Sequence, residues 1–218
     1  EIAGTGLVCT NSYIMETRGP DDADGIYLHA AAGRSLTLSG CVLAGGDDDA
    51  VDTLDSNVTI ENCILRDWPN PNEDAKGVSV FNGEVDLRRC LIADCFAGVS
   101  AKSSGPLAVV RIDHCTIASL TQGVSAATKV NAAAGNITIY LTNSIVRAPE
   151  ALHSDFTPDK FVSVSYCDLS QAWAGEGNIL EDPFFVNPAS GEYHLQPGSA
   201  SIDAGDPAFP LDADGSRT

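Results

Sequence analysis

Four acidic side chains crowd the short stretch GDDDAVD (46–52): Asp47, Asp48, Asp49 and Asp52. Glu73 and Asp74 lead into a later phrase, KGVSV (76–80). Carboxylates at this density suit a hard cation, since calcium takes several oxygens at about 2.3–2.6 Å. The spacing points to a metal set of Asp47, Asp49, Asp52, Glu73 and Asp74, with calcium as the ion. Two of the carboxyls could instead act as general acid and base across a glycosidic bond. A solvated turn is the third reading. Lys76 precedes Gly77 and Lys102 follows Gly98 in successive phrases of one type. A lysine beside a second cation loses basicity and can take the proton α to a carboxylate. The catalytic candidates are therefore Asp48, Asp49, Lys76 and Lys102. Arg88 and Arg111, on strand-like segments, could hold acidic sugars with two parallel hydrogen bonds each, and His114, just before Cys115, is a further candidate for binding. Trp68, in the Pro-rich loop RDWPNPNEDA (66–75), could stack on a sugar ring or brace its own loop.

What must position these groups is a repeat. LTLSGCVL (36–43), VTIENCIL (58–65), VDLRRCLI (85–92), VRIDHCTI (110–117), ITIYLTNSIV (137–146) and VSVSYCDL (162–169) share one pattern of alternating apolar positions, a bend and a Cys or Ser. The Cys or Ser positions are 41, 63, 90, 115, 144 and 167, so the steps are 22, 27, 25, 29 and 23 residues. A period in the twenties with strand content in every copy predicts stacked coils of β-strand. One extra residue at the bend shifts the period-2 phase, as a change of strand direction requires. A second phrase recurs once per turn: DGIYL, DAVDT, KGVSV, AGVSA, QGVSA and EALHS. Its Gly or Ala allows a tight corner before the next strand. Residues 1–34 read as a leading coil or N-terminal cap, 35–171 as the coil repeats, and 172–218 as a final coil and C-terminal cap. In that cap Phe184, Phe185, Tyr193 and Leu195 would cover the last coil. The expectation is one all-β domain of about six to seven coils.

The chain has 218 residues and a formal charge of −18, from 30 acidic and 12 basic side chains. That balance argues against nucleic acid, whose phosphates need Lys and Arg. No apolar run is long enough for a membrane helix. Five of the seven Cys fall in the repeat column, with Cys9 and Cys95 outside it. No pair has CxxC spacing, so zinc and thiol-redox motifs are absent, and the column reads as stacked small apolar side chains. DADGS (212–216) has a D-x-D-G calcium spacing without the full loop.

The Cys phrases and the GVSV and GVSA strands resemble the right-handed parallel β-helix superfamily of pectate-lyase-like proteins, over roughly residues 24–212. The tail EDPFFVNPASGEYHLQPGSASIDAGDP resembles the end of bacterial secreted and cell-surface β-helix proteins, where a further strand usually follows. The resemblance implies a right-handed β-helix and a place outside the cell or on its surface. Its partner would be a polysaccharide or surface glycan, beside other domains of a larger protein. Polygalacturonase-type hydrolases of that superfamily carry GDD, GHGISIG and GVRIK on successive coils. Here the register is GDDD (46–49), KGVSV (76–80) and GVSAK (98–102), with Lys76 in the place of the His and Ser100 in that of the Arg. The expected function is a calcium-stabilised, carbohydrate-interacting module. A lyase or hydrolase acting on an acidic polysaccharide and a non-catalytic adhesion spacer are the alternatives.

Overall fold

The computed structural model describes residues 6–19, 23–29, 35–72, 74–128, 135–154 and 159–210. Two parallel sheets, of eleven and seven strands, stack as a β-solenoid of about six turns. Among the described residues the one helical element is a short 3-10 turn at Pro188–Ser190, and no helix is long and apolar enough to cross a membrane.

Each full coil contributes to three ladders. The first runs through Ile26–His29, the opening halves of Val51–Glu61 and Lys76–Arg88, then Ala97–Ser103, Gln122–Thr128 and Glu150–Ser154. The second holds Leu7–Thr10, Ser35–Ser39, the closing halves of the same two long strands, Ala108–Asp113, Ile137–Thr142 and Lys160–Ser165. The third is the seven-stranded sheet from Tyr13–Thr17 to Asp168–Leu169. Aliphatic side chains from all three ladders fill the interior. One inward row reads Leu38, Ile60, Leu87, Ile112, Leu141 and Val164 in register, all at most 4% exposed. Burying each such side chain stabilises the fold by about 1.5–3 kcal/mol.

The bend before each Cys has one cause in every coil. Gly40, Asn62, Arg89, His114, Asn143 and Tyr166 all take left-handed backbone, with φ between 49° and 65°. Gly and Asn adopt it readily, whereas Arg, His and Tyr hold it against Cβ crowding. The next residue turns inward, as the phase shift in the sequence predicts. These inward atoms also accept hydrogen bonds. The N–H of Cys41 donates to Cys63 Sγ (3.3 Å), that of Cys115 to Ser144 Oγ (3.0 Å), and that of Cys167 to Asn178 Oδ1 (3.0 Å). Asn178 thus takes the column position beyond the last Cys, and Ser12 takes the one before Cys41, its carbonyl accepting from Val42 N–H as Cys41 accepts from Ile64 N–H.

The C-terminal segment differs from the expectation. The last coil is covered by residues 176–179: Tyr166 N–H donates to Glu176 O (2.7 Å) and Ile179 N–H to Cys167 O (2.8 Å). Those backbone bonds leave the Pro-rich remainder to run back along the flank. Tyr193 reaches Asp94 at 3.5 Å, Asp206 N–H donates to Asn143 Oδ1 (2.8 Å), and Phe209 packs on the His114 ring. Phe184 is half exposed instead of covering the end.

All seven thiols are free, and only Cys9 is less than fully buried. A thiol reagent is therefore expected to modify one site, Cys9, in the reduced native chain and all seven after denaturation. Labelling at two or more column positions under native conditions would contradict the packing.

Candidate functional site

The first ladder presents its outer face to a polar hollow of about 260 Å³. Strand alternation sets which side chains reach it. Tyr27, Asp52, Ser79 and Ser100 are register partners in one outward row, and Leu54, Phe81 and Lys102 form the next. Asp48, Asp49 and Asp74 enter from the corner loops that precede the strands, and Lys76 from the first residue of its strand. Tyr27 and Phe81 give the otherwise acidic and basic wall two aromatic surfaces.

Asp49 and Lys76 form the buried centre. The Lys76 backbone N–H donates to Asp49 Oδ1 at 2.7 Å, and Lys76 Nζ lies 3.5 Å from the same oxygen. Nζ also pairs with Asp74 Oδ2 at 3.2 Å and donates to the Asp74 carbonyl. Burial pushes the Asp49 carboxyl up to about 7, against the pull of Lys76 in the other direction. For Lys76 burial favours the neutral amine, but Asp49 and Asp74 together outweigh it and hold its pKa above the ordinary lysine range. Lys102 goes the other way: burial, then repulsion from Lys76, lower its pKa. Among the described residues, Lys102 Nζ has no ion-pair partner within 4.0 Å.

A third carboxylate joins from the preceding coil. Asp24 Oδ1 accepts the Asp49 N–H at 3.1 Å. Asp24, Asp48 and Asp49 each place a carboxylate oxygen within 4.8 Å of the others, close enough to share one cation. The set differs from the one read from spacing. Asp47 turns to another groove, where it meets Arg18 at 3.2 Å and the Gly19 N–H at 3.3 Å. The strand ends at Gly46 and the chain bends at Asp47 and Asp48, which sends Asp47 toward Arg18 and its neighbour toward the hollow. Asp52 and Asp74 line the hollow, and Glu73 lies outside the described residues, as does DADGS.

All four catalytic candidates, Asp48, Asp49, Lys76 and Lys102, converge on this hollow. The four binding candidates do not. Trp68 is fully buried, its ring filling the space over Gly25 and Gly46, so it has no face to offer a sugar. Arg88 and Arg111 are on the second ladder, exposed, with Arg111 held by Glu84 (2.9 Å) and Asp86 (3.4 Å). His114 is a corner residue, 3.0 Å from Asp113 and packed against Phe209 with the rings tilted at 54°. The reading of spacing missed Asp24, Tyr27 and Phe81. Their signal was the recurrent second phrase itself, since DGIYL carries Asp24 and Tyr27 at the positions stacked on DAVDT. It also missed Tyr140 and Phe161, an edge-to-face pair 6.0 Å apart on the second ladder, 43% and 56% exposed.

Comparison of the chain with protein-family models, with curated proteins and with solved structures returns no match.

Proposed function

We propose that this chain is a carbohydrate-interacting module of a secreted or cell-surface bacterial protein, a right-handed β-helix of the pectate-lyase-like kind that binds an acidic polysaccharide at the hollow of the first ladder. One observation carries the reading. Residues scattered from 24 to 102 meet as carboxylates, two lysines and two aromatic rings on one outward sheet face. Asp24, Asp48 and Asp49 offer hard oxygens that suit calcium, and a bound calcium would neutralise part of the local negative charge. Lys102, lining the hollow without an ion pair among the described residues, would meet a sugar carboxylate. Tyr27 and Phe81 would pack on the apolar face of a pyranose. The surplus of negative charge elsewhere disfavours nucleic acid and anionic membrane as partners.

A second reading rests on the Lys102 amine. Its lowered pKa, and the absence of an ion pair to it among the described residues, are what a base needs to remove the proton α to a uronate carboxylate, with elimination of the glycosidic oxygen. Asp49, titrating near neutrality, could return a proton to that leaving oxygen.

A glycan array read with calcium and with chelator separates these readings. Binding of uronate-rich polymers that falls at least tenfold with chelator, and again in Lys102→Ala, is the expected result. Appearance of ultraviolet absorbance from an unsaturated uronate, lost in Lys102→Ala, would add the elimination reading. Uronate binding unchanged by Lys102→Ala would refute the assignment of the site. No binding across the panel would leave the chain as an adhesion spacer.

A further inference from the structure

Three times in the solenoid, a thiol of the corner column lies against the carbonyl of the inward-row residue one coil earlier. Cys90 Sγ is 3.4 Å from Ile60 O, Cys167 Sγ is 3.6 Å from Leu141 O, and Cys41 Sγ is 3.4 Å from Cys9 O. The repeat of this contact shows that the coil geometry, rather than local accident, aims the thiol there. From Leu38 to Val164 the inward row is aliphatic, so beyond the first coil a column thiol meets no thiol of that row, although Cys63, Cys90 and Cys115 neighbour one another within the column. In the first coil the row residue is Cys9, in register with Leu38. Cys41 Sγ consequently lies 3.8 Å from Cys9 Sγ. Cys9 is also the one cysteine not fully buried.

We propose that Cys9 and Cys41 are a disulfide-forming pair, oxidised by a low-molecular-weight disulfide of the glutathione class. The Cys9 thiolate attacks one sulfur of oxidised glutathione, breaking its S–S bond and releasing one glutathione thiolate. The mixed disulfide at Cys9 is then attacked by Cys41, whose proton goes to solvent, and the second glutathione leaves. Two protein thiols are oxidised and one disulfide is reduced to two thiols, so electrons balance. Closing the bond needs the sulfurs to approach by about 1.8 Å, to the S–S length of about 2.05 Å. Cys9 has room for that, since it lies on Leu7–Thr10, a strand whose one partner among the described strands is Ser35–Ser39. Burial raises the Cys41 pKa, which keeps its thiolate fraction low in the second exchange. The other five cysteines lie deeper and are reached later or not at all. The bond would tie the first two coils covalently at the end opposite the residues that cover the last coil.

The test uses the whole chain in a glutathione redox buffer, followed by alkylation and non-reducing tryptic digestion. The peptide ending at Arg18 is expected to be linked to the peptide 35–66, with fragmentation placing the link at Cys41 and not at Cys63. Native reactivity of Cys9 should vanish in step, and Tm should rise by roughly 5–10 °C, because the bond closes a long loop. Cys9→Ser should lose the link and the Tm gain while keeping the Tm of the reduced protein within a few degrees. A Cys9 that stops at a glutathione adduct, a link through Cys63, or a Cys9 that stays reactive throughout would each overturn the proposal. Reading the linkage in the unsubstituted protein keeps the result independent of how the variant folds.

Discussion

Trp68→Ala is expected to cost about 3–5 kcal/mol of stability, a Tm drop of roughly 10 °C or more. The ring is fully buried, and the space it occupies exists because two coils carry glycine there. A Cβ built on Gly46 would meet the ring at 1.8 Å, and one on Gly25 would meet it at 3.1 Å. Removing the indole leaves a cavity roofed by backbone that the sheet holds in place, so collapse cannot fill it. Trp68 Nε1 has no hydrogen-bond partner among the described residues. Trp68→Phe therefore gives up volume but no polar contact, and should cost markedly less. Gly46→Ala should fall near Trp68→Ala, since it expels the same ring. Chemical denaturation of the three variants checks the order. A Trp68→Ala protein within about 1 kcal/mol of the parent would mean the ring is not a packing element. Trp68→Phe should keep full glycan binding, because the ring faces away from the hollow.

Lys76→Met should destabilise by about 3–5 kcal/mol at pH 8, because it leaves Asp49 as a buried charge without its partner. The effect depends on pH with a defined sign. Asp49 titrates near 7 in the folded chain, above its ordinary value of 3.8. A carboxyl whose folded pKa is raised adds stability below its unfolded pKa, and that contribution is lost as pH climbs from about 4 through 7. The parent should thus lose stability across that window, and in Lys76→Met, where nothing offsets the carboxylate, the loss should continue to higher pH. At pH 5 Asp49 is protonated and the variant should recover much of its deficit. The raised pKa of Lys76 keeps the parent's amine charged across the same range, so it contributes no slope there. Lys76→Met with Asp49→Asn removes both charges and should restore stability toward the parent, with a flat profile. Urea titrations at pH 5 and pH 8 decide the matter, and a Lys76→Met protein equal to the parent at pH 8 would show that the pair is not buried as described.

Much of this was legible before any coordinates, and the reasons are specific. The Cys-bearing phrases carry both the strand period and the extra residue at the bend, so coil, corner and inward column follow from one pattern. The convergence of Asp48, Asp49, Lys76 and Lys102 was legible because all four are tied to the second phrase, whose copies stack. Asp24 was harder, since it belongs to a leading segment without a Cys phrase, and its part depends on stacking under a loop. Asp47 was misplaced because adjacent residues in a run of identical side chains can face opposite grooves, and composition does not say which. Trp68 misled for a different reason. An aromatic ring beside Pro and Asn looks solvent-facing until Gly25 and Gly46, distant in sequence, are seen to open a space beneath it.

The returning C-terminal stretch alters how the molecule comes apart. A stack of repeats is held by nearest-neighbour contacts and ordinarily frays from an end, one layer at a time. Here one covalent stretch grips Asp168 through Ser201, Asn143 through Asp206, His114 through Phe209 and Asp94 through Tyr193. Layers that do not touch one another are thereby joined by the same strap, so peeling the outermost layer means loosening several beneath it. The C-terminal half is built to open as one cooperative block, and the opposite end is left as the place where opening starts.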